Sequence, residues 1–200
     1  MFLKLIYIAL IFTYLLPSNS FNFIFASELT TYPTTKNKSN KKYNPDLNKS
    51  LEDIIKENYQ LLTGYDKWPA DIKRLHLNSE KGLKIISDNK NFLIPLNLEL
   101  EIKLHLAIFG SQLGYYSLAE SYYLEILNKG KDLYEESDTF LIDALYGLAT
   151  NHMKSGKYKK GKYALETLLA IQKKYLGEDH PLTIITRNEL FTILRINGPI

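Results

Sequence analysis

Four histidines are the natural place to look for chemistry in this chain, and their spacing supplies none. His76, His105, His152 and His180 share no metal-ligand pattern, and no H-E-x-x-H is present. Neither a Gly-rich phosphate loop nor a serine elbow appears. There are no cysteines, which excludes disulfide staples, thiol chemistry, cysteine-bound metals and lipid attachment through an N-terminal cysteine. It does not exclude export, because a helical core of this length holds together without staples. With no supporting constellation, the chain reads as non-enzymatic, with no cofactor and no metal.

Two charged clusters remain. Lys154, Lys157, Lys159, Lys160 and Lys162 form a basic patch, and Asp132, Glu135, Glu136 and Asp138 an acidic one on an earlier turn. A solvated turn accounts for the lysines. Attraction to an acidic partner, or steering of self-association by the two clusters together, is the functional reading.

The overall charge of +3 has to be divided before it means anything. Residues 1–26 carry one basic residue, Lys4, and no acid; residues 27–49 carry five lysines against Glu28 and Asp46. The remainder has 19 basic and 20 acidic side chains, out of 25 and 22 in the whole chain. The folded part is near neutral, so a whole-surface field for nucleic acid is not supported.

Stepping from Lys4 into Leu5–Leu16 brings an apolar run closed by Pro17. A basic start, a short apolar run and then small polar residues predict a secretory signal over 1–26, cleaved after Ser20 or Ala26. The alternative is an uncleaved N-terminal anchor. Twelve residues at about 1.5 Å each fall short of roughly 30 Å of hydrocarbon, and Phe21–Ala26 extend the run only across several polar residues. Residues 27–49 are rich in Ser, Thr, Asn and Lys, which predicts a flexible basic linker.

Helical periodicity begins after that. Leu47, Leu51, Ile54, Ile55, Tyr59 and Leu62 share one face, and Ile72, Leu75, Leu83 and Ile86 another. These predict a diverged capping hairpin over 50–94, with a loop at Thr63–Trp68. Residues 96–106 alternate leucine or isoleucine with polar residues, which alone argues for a strand. The helix-forming composition, and the absence of such alternation 42 residues later, argue for a helix after Pro95. Helices follow at 96–113, 117–129, 138–155, 159–176 and 181–196, with turns at Gly114, Gly130, Gly156 and Gly177. Ser117 and Glu120 fit a capping box, and Asp179 or His180 suits the start of the last helix.

The later part of the chain repeats. Leu106-Ala107, Gly114, Tyr116, Ala119 and Leu127 recur 42 positions on as Leu148-Ala149, Gly156, Tyr158, Gly161 and Leu169; Leu190-Phe191 and Gly198 begin a third copy. A fixed period of this length marks units that bury their cores by stacking. The turn glycines reverse the chain, the tyrosines two residues on are expected to wedge a ring into the crossing, and Ala119 and Gly161 allow close approach.

Leu148-Ala149, Gly156-Lys157-Tyr158, Gly161 and the junction Gly177-Glu178-Asp179-His180-Pro181 resemble tetratricopeptide repeats. The 42-residue length is similar to the long kinesin-light-chain-like variant, over about 100–200. The resemblance implies an all-α fold, a right-handed α-α superhelix of helical hairpins whose first helices line a concave groove for peptides or partner domains. Carried over from the family, the groove positions are Glu101, Leu104, Ile108, Ser111 and Gln112; Asp143, Tyr146, Thr150, Met153 and Lys154; and Asn188, Thr192 and Arg195. Ile108, Gln112, Tyr146, Thr150, Met153, Lys154, Asn188 and Arg195 are the partner-binding candidates. The Lys/Asn pattern with which some members clamp a C-terminal carboxylate is missing at Leu104, His105 and Ile108.

The last helix, 181–196, carries more apolar surface than one face needs, which predicts association with a partner or a second copy. The chain therefore reads as an exported adaptor binding an unidentified protein or peptide. The alternative is a membrane-tethered envelope or assembly scaffold, with membrane contact only if 1–26 is retained.

Overall fold

The computed structural model describes residues 41–63 and 70–197. The expected signal segment, most of the linker and the loop before Pro69 lie outside the described residues. Within them are seven helices: α1 Pro45–Thr63, α2 Ala70–Asp88, α3 Leu96–Gln112, α4 Tyr116–Gly130, α5 Thr139–Lys154, α6 Tyr158–Leu176 and α7 Pro181–Asn197. Two short strands, β1 Lys42–Tyr43 and β2 Phe92–Leu93, pair in parallel. Each helix packs on the next in sequence, and α1 also touches α3, as α3 touches α5. The hairpins therefore stack with their first helices in one layer, an all-α helical-repeat architecture.

The first helix starts earlier than the composition of 27–49 implied. The Asn44 side chain accepts from the backbone N–H of Asp46 at 3.1 Å and of Leu47 at 3.3 Å, and Pro45 occupies the first turn. Asn-Pro-Asp is a helix-start signal inside a polar stretch. The strand just before it, paired across the first hairpin, ties residues 42–43 to the segment leading into α3.

The alternating segment is helical. Leu98, Leu100, Ile102, Leu104 and Leu106 of α3 are buried, and so are Glu101, Lys103 and His105 between them. A helix touched by α1, α2, α4 and α5 has no broad solvent face, so the usual polar stripe is absent and the alternation carries no strand information. Its polar members are partnered instead. The Tyr59 hydroxyl donates to Glu101, and Asn58 Nδ2 lies 3.2 Å from His105 Nδ1. Lys103 donates to Glu99 and to Glu125, each at 2.6 Å.

Gly114, Gly156 and Gly161 behave as their spacing implied, whereas Gly130 and Tyr158 do not. Gly114 and Gly156 have φ of 88° and 75°, the left-handed turn that favours glycine. A Cβ on Gly161 would lie 3.2 Å from the backbone oxygen of Ala149 and 2.7 Å from Met153 Sδ. Gly130, by contrast, takes no left-handed φ among the described residues. It is the final residue of α4, where a Cβ would meet Leu141 Cδ2 at 2.7 Å. Tyr158 is exposed, so its ring does not fill the crossing, while Tyr116 is half-buried. The backbone there is held by Asn151, whose Nδ2 donates to the Tyr116 carbonyl at 2.9 Å.

The Ser117–Glu120 capping box does not form either. The helix begins one residue earlier, without a side-chain cap, and Glu120 accepts from Lys157 and Lys160 of the next unit. His180 caps the last helix as the sequence implied, and Asp138 adds a cap that was not expected. Asp138 accepts from Phe140 N at 2.8 Å, and His180 Nδ1 accepts from Leu182 N at 3.3 Å.

Candidate functional site

The layer of first helices, α1, α3, α5 and α7, presents the positions drawn from the family likeness, and the structure sorts them by burial. Glu101, Leu104, Ser111, Asp143, Tyr146 and Thr150 are buried. Ile108, Gln112, Met153 and Lys154 are half-buried, and Asn188, Thr192 and Arg195 are exposed. Several of the buried positions spend their polar atoms inside the protein. The Thr150 hydroxyl donates back to the carbonyls of Tyr146 and Gly147 on its own helix, at 3.0 and 2.9 Å. Tyr146 donates across the seam to Glu189 of α7 at 2.5 Å.

The side chains that meet do so across units. Lys154 of α5 donates to Gln112 Oε1 of α3 at 2.7 Å. Burial withdraws the ammonium from water and brings its pKa down to about 8. In the seam between α5 and α7, burial pushes the Glu189 carboxyl up to about 7, against a smaller opposing effect of the Tyr146 hydrogen bond. The Tyr146 phenol is raised by burial and then by the Glu189 charge. Met153 reaches over Gly161 of α6, and Ile108 packs against both the α3–α4–α5 core and the α2–α3 core. Asn188 and Arg195 are exposed on α7.

The charged clusters are largely consumed within the chain. Lys157 and Lys160 converge on Glu120, whose carboxyl is held below its ordinary range first by the Lys157 hydrogen bond. Lys174 lies 3.1 Å from Glu136, and Asp138 serves as a helix cap. His152, buried beside the lysine cluster, is lowered by its own burial despite the Glu120 charge. Among the described residues no group of three or more His, Asp or Glu side chains is placed to hold a metal ion. No described helix is long and apolar enough to cross a membrane.

What the sequence reading missed is the outer aromatic and aliphatic surface. Tyr163 is 74% exposed and Phe191 63% exposed, and Leu77, Tyr115, Leu118 and Leu124 are also open. Phe191 was foreshadowed by the surplus apolar content of the last helix. The others carry no periodic signal, because single apolar residues on a polar helix face are ordinary. No family model matches the chain, and no curated protein matches it.

Proposed function

We propose that this chain is a non-catalytic adaptor, a tetratricopeptide-like array of right-handed course that holds another protein or an extended peptide against its layer of first helices. The observation that carries the reading is the period realised as contact: the Gln112 and Lys154 side chains, 42 residues apart, bond across neighbouring units. Units stacked in this way offer a continuous surface rather than an enclosed chamber, which suits a macromolecular partner. Ile108, Gln112, Met153 and Lys154 form the half-open part of that surface, and Asn188 and Arg195 its exposed end. Tyr146 and Thr150 support it from behind. Phe191 and the open side of α7 extend it, toward the same partner or toward a second copy.

Residues 1–26 give the setting: an apolar run after Lys4, read as an export signal, sends the array out of the cytoplasm. The second reading, a tethered envelope or assembly scaffold, rests on the same run being retained. Sequencing the N-terminus of the mature protein separates them, since a start near 21 or 27 removes the tether. Binding is tested by crosslinking and affinity capture with the wild type and a Lys154→Glu/Arg195→Glu variant. Equal capture by both overturns the assigned surface.

A further inference from the structure

The closing helix α7 is held by two kinds of contact that respond differently to pH. Leu182 and Ile193 belong to a buried cluster with Ile142, Tyr146, Ala149, Ala164, Leu165 and Leu168, and Ile185 and Leu190 pack against it. That packing is indifferent to protonation. The polar contact is not: Tyr146 of α5 donates to the Glu189 carboxyl of α7 at 2.5 Å, which brings an ionisable group into a largely desolvated seam.

We infer that Glu189, seated on Tyr146, makes α7 a pH-sensitive latch that closes the array in acid and loosens toward neutrality. The groups around the carboxyl support this. From α5 it faces the Tyr146 hydroxyl. On α6, Lys162 lies 4.0 Å from Glu166 and Lys173 3.1 Å from Glu178, and on α7 Arg195 is exposed and Arg187 half-buried. Among the described residues no cation enters the balance at Glu189: burial raises it to about 7, and the Tyr146 hydrogen bond opposes that rise.

An acid whose docked pKa lies above its free value docks best when protonated. The latch is therefore fully closed below about 4.5, the ordinary value, and loses hold as pH climbs to about 7. Above that no further loss comes from this group. Each pH unit in the window changes the docking equilibrium by up to about tenfold. Loosening uncovers the faces of Ile142, Tyr146 and Leu168 on α5 and α6, an apolar surface that the closed array hides.

Hydrogen exchange in the full chain tests the latch, with amide rates of 181–197 corrected for intrinsic pH dependence and compared with those of α3 and α4. In the wild type, protection of α7 falls by about tenfold or more from pH 5 to pH 8 while α3 and α4 hold. Glu189→Gln keeps the shape without the charge and stays protected throughout. Tyr146→Phe removes the bond that favours the ionised form, so its midpoint moves above that of the wild type. Wild-type protection that is flat across the range, a Glu189→Gln variant with the wild-type slope, or a Tyr146→Phe midpoint that stays put or falls overturns the inference.

Discussion

Gln112 and Lys154 stand one 42-residue period apart and meet side chain to side chain at 2.7 Å. Tyr59 and Glu101 repeat the relation at the same separation one unit earlier, and Tyr146 and Glu189 one unit later at a separation of 43. The polar positions of the first helices thus tie successive units together, and the array's surface is built on those ties.

The Gln112–Lys154 contact makes a measurable claim about charge. Burial lowers Lys154 to about 8, so the folded state favours the neutral amine. The penalty is complete below about 8 and disappears as pH rises toward the ordinary 10.5. Lys154→Met is expected to melt no lower than the wild type at pH 7. Gln112→Glu places a carboxylate on the ammonium and is expected to raise the Lys154 titration above 8, read by NMR, along with the melting temperature. A Lys154 titration unmoved by Gln112→Glu contradicts the contact.

Lys103 tests the buried ions of α3. It lies between Glu99 and Glu125, each at 2.6 Å, with Lys129 on the far side of Glu125, also at 2.6 Å. Its own burial works against the charge, but the hydrogen bonds it donates to Glu125 and Glu99, with the charges of those carboxylates, outweigh that and raise its pKa. Lys103→Ala leaves two carboxylates short of a cation. We expect a loss of about 2 kcal/mol in denaturant unfolding, below the range for fully buried pairs because both glutamates reach solvent. A loss indistinguishable from zero refutes the network.

Two glycines should differ sharply. A Cβ at Gly147 would fall 2.5 Å from ring carbons of Tyr123, a wholly buried side chain, whereas at Gly161 the closest atom is Sδ of the unbranched Met153 side chain at 2.7 Å, with the Ala149 backbone oxygen at 3.2 Å. Gly147→Ala is expected to cost about 3 kcal/mol. Gly161→Ala, offset by better helix propensity, should stay within about 1 kcal/mol of the wild type. Thermal melts of the two variants check the order, and equal costs contradict the packing of Tyr123 on Gly147.

Phe191 separates binding from folding. At 63% exposure it contributes little to the core, so Phe191→Ser is expected to shift stability by no more than about 0.5 kcal/mol. If α7 mediates self-association, the same change shifts light scattering toward the monomer at high concentration. A wild type that is already monomeric there removes the second copy from the candidates.

The architecture was legible because backbone requirements repeat. Gly114 and Gly156 must both adopt a left-handed turn, and that demand is written into the sequence at a fixed interval. Pro95 and the Leu/Glu/Lys composition marked α3 against its misleading alternation, whose cause, burial on every side, is a tertiary fact. Other features have no local signal. The pairing of Lys42–Tyr43 with Phe92–Leu93 joins residues about fifty apart through backbone alone. Ser117 and Glu120 satisfied a local cap rule, but charge from Lys157 and Lys160 on the next unit claimed Glu120. Tyr146 and Thr150 occupy the helix positions expected of a groove, yet stacking turned them inward, and only the three-dimensional seam reveals Glu189 as the partner of Tyr146.

The most direct test of the adaptor reading is crosslinking followed by affinity capture from the native host, comparing the wild type with Lys154→Glu/Arg195→Glu at matched helicity and melting temperature. A specific protein is expected to be retained by the wild type and reduced at least tenfold in the variant, about 1.4 kcal/mol of binding. The same partner captured equally by both would contradict a binding surface on the layer of first helices.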